Sequence, residues 1–414
     1  MESDPRAVDR AASLSTSASK APGSDASAKH ARWAAAAMAL ACGLAITSTT
    51  LCLGVMPLMQ SLAGSRDFIV YWATGQQLVH HADPYDTNQL NVVEHSSGFK
   101  RKGTFYMRNP PWSLPLAAPL GFLPARVAAL PWSLFLYGLL FLCVRTVWKM
   151  FGHAGTRLDM LGYCFPPALI CVVMGQTSMF LLVGLVGFLR FHKSRPFWAG
   201  AALWLCTLKP HVFIPFGAAL LAWIAIERQW RVLAGAAATM AASCALTEWM
   251  DPQAWGQYLH WARNSGISEE FIPCISVALR NLIDPRAAWI AFVPCALGAV
   301  WGLVYYWQRR HAWSWVENGN LLMLVSLVVA PYCWIYDQSL AMPALLYAAA
   351  RVRSQALLGI LAILFIGVEF QTFVVFWEYH YIFMWPGLAW LVWYWFARRP
   401  ERTAVIRDDA EMAV

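Results

Sequence analysis

"NPPWSLPLAAPLGFLP", Asn109 to Pro124, decides how the chain threads. The segment is apolar but short, and Pro110, Pro111, Pro115, Pro119 and Pro124 interrupt it. Proline removes a backbone donor and kinks a helix, so this piece reads as interfacial or re-entrant and not as a crossing. Basic residues are retained on the cytoplasmic side of a membrane, which tests the choice. With the segment left out, Val127 to Trp148 is the second crossing, and Lys149, His153 and Arg157 fall inside. The gaps holding Lys193 and Arg195, Arg228 and Arg231, Arg309 and Arg310, Arg351 and Arg353, and Arg398, Arg399 and Arg402 then fall inside as well. Counting it as a crossing would invert nearly all of them.

Composition points the same way. Hydrophobic residues make up 59% of the 414 and charged residues 13%, and the apolar content falls into repeated blocks. The blocks are about as long as a bilayer-crossing helix, roughly 20 residues. The expected fold class is therefore all-α, a polytopic transmembrane helical bundle of about twelve crossings with both termini inside. Its expected parts are a disordered cytoplasmic tail (1–32), a membrane domain (33–398) and a cytoplasmic C-terminal tail (399–414). Trp33 to about Leu62 is too long for a signal-peptide core and lacks a cleavage site before Asp67, so it is expected to stay as a signal anchor. Two long outer loops, about 63–126 and 250–285, break the pattern, the first expected to carry interfacial helices.

The net charge of +8 comes from Lys and Arg in small groups between apolar blocks, with no basic stripe or reader motif, which excludes nucleic acid as a partner. Cys143, Cys164, Cys171, Cys206 and Cys244 lie inside apolar runs, with no CxxC and no His at ligand spacing. They read as small core hydrophobes, and no metal site is expected. No internal repeat marks a transporter, and no nucleotide-binding glycine loop, HExxH or GxSxG is present.

This threading puts the unusual polar residues on the outer side. In "SRDFIVYWATGQQLVHHADPYD", Ser65 to Asp86, a helix from Arg66 to Leu78 would place Asp67 and Tyr71 on one face, and Phe68 and Trp72 on the next. An aromatic face suits a helix lying on the outer leaflet. Asp67 has two readings at this stage, a chemical role at the water and lipid boundary or a cap on the helix it precedes. Asp83 before Pro84 suits a turn and Asp86 a cap on the segment from Thr87, while Asp83 and Tyr85 are also candidate substrate contacts. His80 and His81 read as solvated loop residues.

"LKPH", Leu208 to His211, sets a lysine against the positive-inside trend. Lys209 needs a reason, either snorkelling to headgroups or binding an anion, and Pro210 would fix its position. Arg108 is a second outward cation, and "FKRKG", Phe99 to Gly103, reads as a headgroup contact. Single polar residues at helix ends complete the set: Gln176 in "GQTS", Asp337 in "WIYDQS", Glu378 and His380 in "WEYH". Together they describe an outward-facing polar cleft roofed by the two loops.

A carboxylate, cations, aromatic platforms and an approach from lipid are what lipid-phosphate-sugar chemistry requires. The donor's polyprenyl tail stays in the bilayer while Lys and Arg stabilise the charge growing on the leaving phosphate. The carboxylate takes the proton of the attacking hydroxyl.

At these residues the chain resembles the GT-C class of integral membrane glycosyltransferases, most closely glycosyltransferase family 87, whose known members are polyprenol-phosphate-mannose-dependent alpha-mannosyltransferases. "RDFIVYWATGQQLVHHADPYD" is similar to the family's D-F-x-x-Y-W, A-x-G and D-P-Y-D pattern. "RNPPWSLPLAAPLGFLP" is similar to its Y-P-P-L and P-L-x-x-L-P segment, and "GQTSMFLLVGLVGFLRFHKSRPFWAGAALWLCTLKPH" to its G-Q, A-G and K-P stretch; "APYCWIYDQSLAMPALL" also matches. The likeness runs from about Ala34 to Arg398. It implies that Asp67 is the catalytic base and that Lys209 meets the donor phosphate; Arg108 and His211 are the further expected phosphate contacts. Tyr71, Trp72, Asp83, Tyr85, Gln176, Asp337 and His380 are the expected substrate contacts. It also implies transfer of a hexose, mannose first, with inversion, to a lipid or glycan acceptor on the periplasmic face of the inner membrane, with neither cofactor nor metal. Two departures stand out: Asn109 replaces an aromatic before Pro-Pro, and His211 stands where Gln is common.

Two other readings compete. A lipid-linked-sugar flippase would need charged or broken helices near the midplane, and Pro166, Pro167 and Pro331 come with no midplane charge. A non-catalytic subunit of an envelope glycan pathway would tolerate loss of the Asp67 carboxylate.

Overall fold

The computed structural model describes residues 33, 35–45, 67–99, 105–151, 158–264, 272–374 and 380–398, and all regular structure among them is helical. Both tails, most of the expected first crossing (46–66) and the basic loop 100–104 lie outside the described residues.

Four helices are long and apolar enough to cross a bilayer: Ala125–Phe151, Trp230–Met250, Ala288–Ala312 and Gln355–Thr372. The others are shorter than the sequence blocks suggest. Ser178–Phe191 has 14 residues, Pro196–Cys206 has 11 and Asn320–Val329 has 10. At about 1.5 Å per residue these reach roughly 15–21 Å, against about 30 Å of hydrocarbon. Proline is one cause. The block expected from Leu158 to Met174 splits into Met160–Tyr163 and Pro166–Met174, because Pro166 and Pro167 can start a helix but not continue one. Irregular backbone joins the pieces, and a membrane protein tolerates that only where protein encloses it or a polar cavity borders it. The short helices therefore mark where the polar centre sits.

The proline-rich segment is a run of short helices, Pro111–Ser113, Leu114–Ala117 and Ala118–Phe122. Ser243 and Thr247 of the helix Trp230–Met250 donate to the carbonyls of Trp112 and Pro111 at 2.6 and 2.9 Å, tying the segment to that helix. The segment packs on the helix Phe68–Val79 so closely that a Cβ at Gly75 would sit 2.5 Å from the Ala117 carbonyl oxygen. Gln76 Nε2 donates to the Gly121 carbonyl across the same contact, at 2.6 Å.

That helix differs from the expectation of an interfacial one. Phe68, Ile69, Val70, Tyr71, Trp72, Ala73 and Thr74 are all buried, so every face meets protein and no aromatic stripe is left for the leaflet. In the second long loop (250–285), the helix Ala254–Asn264 packs Tyr258 and Trp261 against Tyr85 of the first (63–126), with ring centroids 5.3 and 6.3 Å apart. The two loops thus dock on each other.

Candidate active site

Asp67 precedes the helix Phe68–Val79 but makes no capping hydrogen bond to it. Its Oδ2 instead accepts from Gln176 Nε2 at 2.7 Å. Gln176 Oε1 accepts from the Tyr71 hydroxyl at 2.9 Å, and that hydroxyl lies 3.3 Å from Thr177 Oγ1. An acceptor at one end of the amide and a donor at the other fix its orientation. Local backbone sets this up. The helix Pro166–Met174 ends on Gly175 at φ 75°, the left-handed region open to glycine, and a Cβ there would meet Phe68 Cβ at 2.6 Å. Only glycine lets the chain turn against Phe68 and present Gln176 to its neighbour Asp67.

Lys209 follows the end of the helix Pro196–Cys206. Its Nζ donates to Asp337 Oδ1 at 2.7 Å and to Ser178 Oγ at 3.1 Å, and stands 4.8 Å from the Tyr336 ring centroid. The Ser178 hydroxyl donates to the same Asp337 oxygen, and Asp337 Oδ2 accepts from the Trp334 backbone N–H at 3.0 Å. Burial opposes both charges, but their attraction outweighs it, holding the Asp337 carboxyl below its usual range and the Lys209 ammonium above its own. Asp337, 1% exposed with both oxygens engaged, is the counter-ion of Lys209.

Gln176, Thr177 and Ser178 are consecutive, so the Asp67 arm and the Lys209 arm meet on one short stretch of backbone. Tyr71 lies within electrostatic reach of both ends. Arg108 is half-buried and lies within reach of Tyr332 and Tyr336. His211 stacks on Tyr332 with ring centroids 3.6 Å apart at 30°. Burial depresses the imidazole to about 3, with the Asp337 and Lys209 charges acting in opposite directions on it, so it is uncharged at neutral pH.

Other expected contacts make no hydrogen bond to this row. The Trp72 indole N–H donates to the Leu123 carbonyl at 2.8 Å. Asp83 Oδ1 accepts from the Tyr85 backbone N–H at 2.7 Å, and Asp86 caps the helix Thr87–Ser96 through Asn88 and Gln89. The Tyr85 hydroxyl donates to the Asn109 carbonyl at 3.0 Å. Glu378 and the side chain of His380 lie outside the described residues. Sequence reasoning quoted Ser178, Thr177 and Tyr336 inside its motifs without assigning them. Asn109, noted only as a departure, donates through Nδ2 to the Leu208 carbonyl at 3.2 Å and so ties the proline-rich segment to the backbone beside Lys209.

The model of glycosyltransferase family 87 matches residues 106–331, more than half of the chain. The chain belongs to glycosyltransferase family 87. No curated protein and no solved structure matches it. The family-87 match holds Arg108, Gln176, Lys209 and His211, while Asp67, Tyr71 and Asp337 lie outside it, a narrower span than Ala34 to Arg398. As a member of family 87 the chain is a membrane glycosyltransferase, moving a sugar from a donor to an acceptor.

Proposed function

We propose that this enzyme transfers a hexose, mannose first, from a polyprenyl-phosphate sugar to a lipid or glycan acceptor at the outer face of the inner membrane. The observation that carries the reading is the row from Asp67 through Gln176 and Ser178 to Lys209. It supplies a carboxylate for one end of a displacement and a cation for the other.

The acceptor hydroxyl loses its proton to Asp67 as its oxygen bonds to the anomeric carbon. The bond from that carbon to the phosphate oxygen breaks on the opposite face, so configuration inverts. The lipid monophosphate leaves against Lys209 and Arg108, whose charges meet the one that grows on the phosphate. Asp337 keeps the ammonium ionised and in place, and Gln176 does the same for the carboxylate. The apolar tail of the donor remains in the bilayer throughout. No nucleotide sugar takes part in this scheme.

The proposed topology has about twelve crossings, several of them built from the shorter helices, with both tails cytoplasmic and loops 63–126 and 250–285 outside. It puts Lys209, His211 and Asp337 between crossings at the outer ends of helices. The test is transfer by purified protein from radiolabelled polyprenyl-phosphate mannose, glucose and arabinose to lipids of its own envelope. Transfer from the mannose donor supports the reading, and absence of transfer from all three contradicts it.

A further inference from the structure

His211 carries a buried Nε2 with no hydrogen-bond partner. Buried polar nitrogens are nearly always paired, so one left open beside an active site calls for a partner that arrives from outside. The ring cannot turn freely to find another, because it is stacked on Tyr332 at 3.6 Å. Tyr332 in turn lies within electrostatic reach of Lys209, Asp337, Arg108 and Tyr258. The stacked pair thus stands where the charged row meets the aromatic contacts between the two outer loops, since Tyr258 packs on Tyr85 and Trp261.

The chemistry of the open nitrogen narrows its partner. Lys209 and Arg108 already supply fixed positive charge for a phosphate, and a neutral imidazole adds none. A neutral ring has one donor nitrogen and one acceptor nitrogen, and a sugar hydroxyl can satisfy Nε2 in either tautomer because it both donates and accepts. A phosphate oxygen can satisfy only the donor form. Position adds to this, because a sugar whose anomeric phosphate rests on Lys209 brings its ring hydroxyls next to a residue two positions along the chain. We infer that His211, held in register by Tyr332, receives a hydroxyl of the donor sugar and thereby sets which sugar this enzyme transfers. The inference rests on Lys209 as the ligand of the donor phosphate.

The test uses the full-length protein, native and as His211→Ala, His211→Gln and Tyr332→Ala, with polyprenyl-phosphate mannose and its singly deoxygenated analogues as donors. Sugar-free polyprenyl phosphate serves as inhibitor. His211→Ala is expected to lower kcat/KM for the intact donor on the order of 10- to 100-fold, while one deoxy donor is handled equally by native and variant protein. Inhibition by sugar-free polyprenyl phosphate is expected to stay within about two-fold, since no charge on the phosphate site is lost. His211→Gln, which keeps hydrogen-bonding groups, is expected to recover part of the loss and to alter the order of preference among donors, and Tyr332→Ala to follow His211→Ala. A loss equal for every deoxy donor, or one matched by weaker inhibition, would assign His211 to the phosphate and overturn the inference, as would unchanged kinetics in all variants. Lys209→Ala separates the two readings. If it leaves inhibition by sugar-free polyprenyl phosphate intact, the phosphate assignment fails, and the inference drawn from it fails with it.

Discussion

The Asp67 carboxylate and the Gln176 amide, 109 residues apart in sequence, are joined by a hydrogen bond of 2.7 Å. We propose that Gln176 acts through Asp67 as a positioning residue. The hydrogen bond favours the ionised carboxylate, the form that accepts a proton.

Replacing Gln176 by Leu removes that donor and leaves the Tyr71 hydroxyl only Thr177 Oγ1, 3.3 Å away, as a partner. The kcat is expected to fall on the order of 10- to 100-fold, with KM for the donor little changed. A purely structural role would also raise KM for the donor or lower the melting temperature. Steady-state kinetics and thermal unfolding of the variant are the measurements.

Lys209 and Asp337 form a buried ion pair, with the lysine side chain 14% and the aspartate side chain 2% exposed. Breaking such a pair from one side leaves an uncompensated charge and costs about 3–5 kcal/mol. Asp337→Ala is expected to lose stability of that order, and Lys209→Met to lose less, since Ser178 and the Trp334 N–H still serve the carboxylate. The double variant Lys209→Met with Asp337→Leu is expected to recover most of the stability and none of the activity. Thermal unfolding in detergent, run as a double-mutant cycle, checks the first outcome and a transfer assay the second.

Glu94 offers a test away from the row. It is fully buried, Oε2 accepts from the Phe105 backbone N–H at 3.2 Å, and burial raises its carboxyl from 4.5 to about 8. The folded state thus holds a proton that the unfolded chain gives up at lower pH. Its contribution to stability is complete below about pH 4.5 and is lost as pH rises through about 8. Glu94→Gln keeps the acceptor and removes the titration. The variant is expected to melt a few degrees above the native protein at pH 9 and close to it at pH 5, by thermal unfolding at the two values.

How much of this the sequence carried depends on the residue. The prolines between Asn109 and Pro124 announced a broken segment, and their missing N–H groups are sufficient reason for one. Asp86 declared its cap, which needs only the two residues beyond it. Lys209 stood out because it opposed the charge trend. Its partner was not legible, because Asp337 lies 128 residues away and nothing local distinguishes a counter-ion from a substrate ligand. Trp72 reads as part of a leaflet-facing aromatic stripe because periodicity shows a face but not what covers it. The proline-rich segment covers it, and Leu123 takes its N–H. The long apolar blocks concealed a break at Phe165 and the early end of a helix at Val329, since hydropathy averages over a residue that leaves the helix.

The central claim is that Asp67 removes the proton of the attacking hydroxyl, and single-turnover transfer by Asp67→Asn protein tests it most directly. The amide keeps the shape of the carboxylate but cannot take a proton. Sugar transfer from enzyme-bound polyprenyl-phosphate mannose is expected to slow on the order of 10²- to 10⁴-fold, with the melting temperature and the inhibition by sugar-free polyprenyl phosphate unchanged. Transfer by Asp67→Asn within a few-fold of the native rate would contradict it.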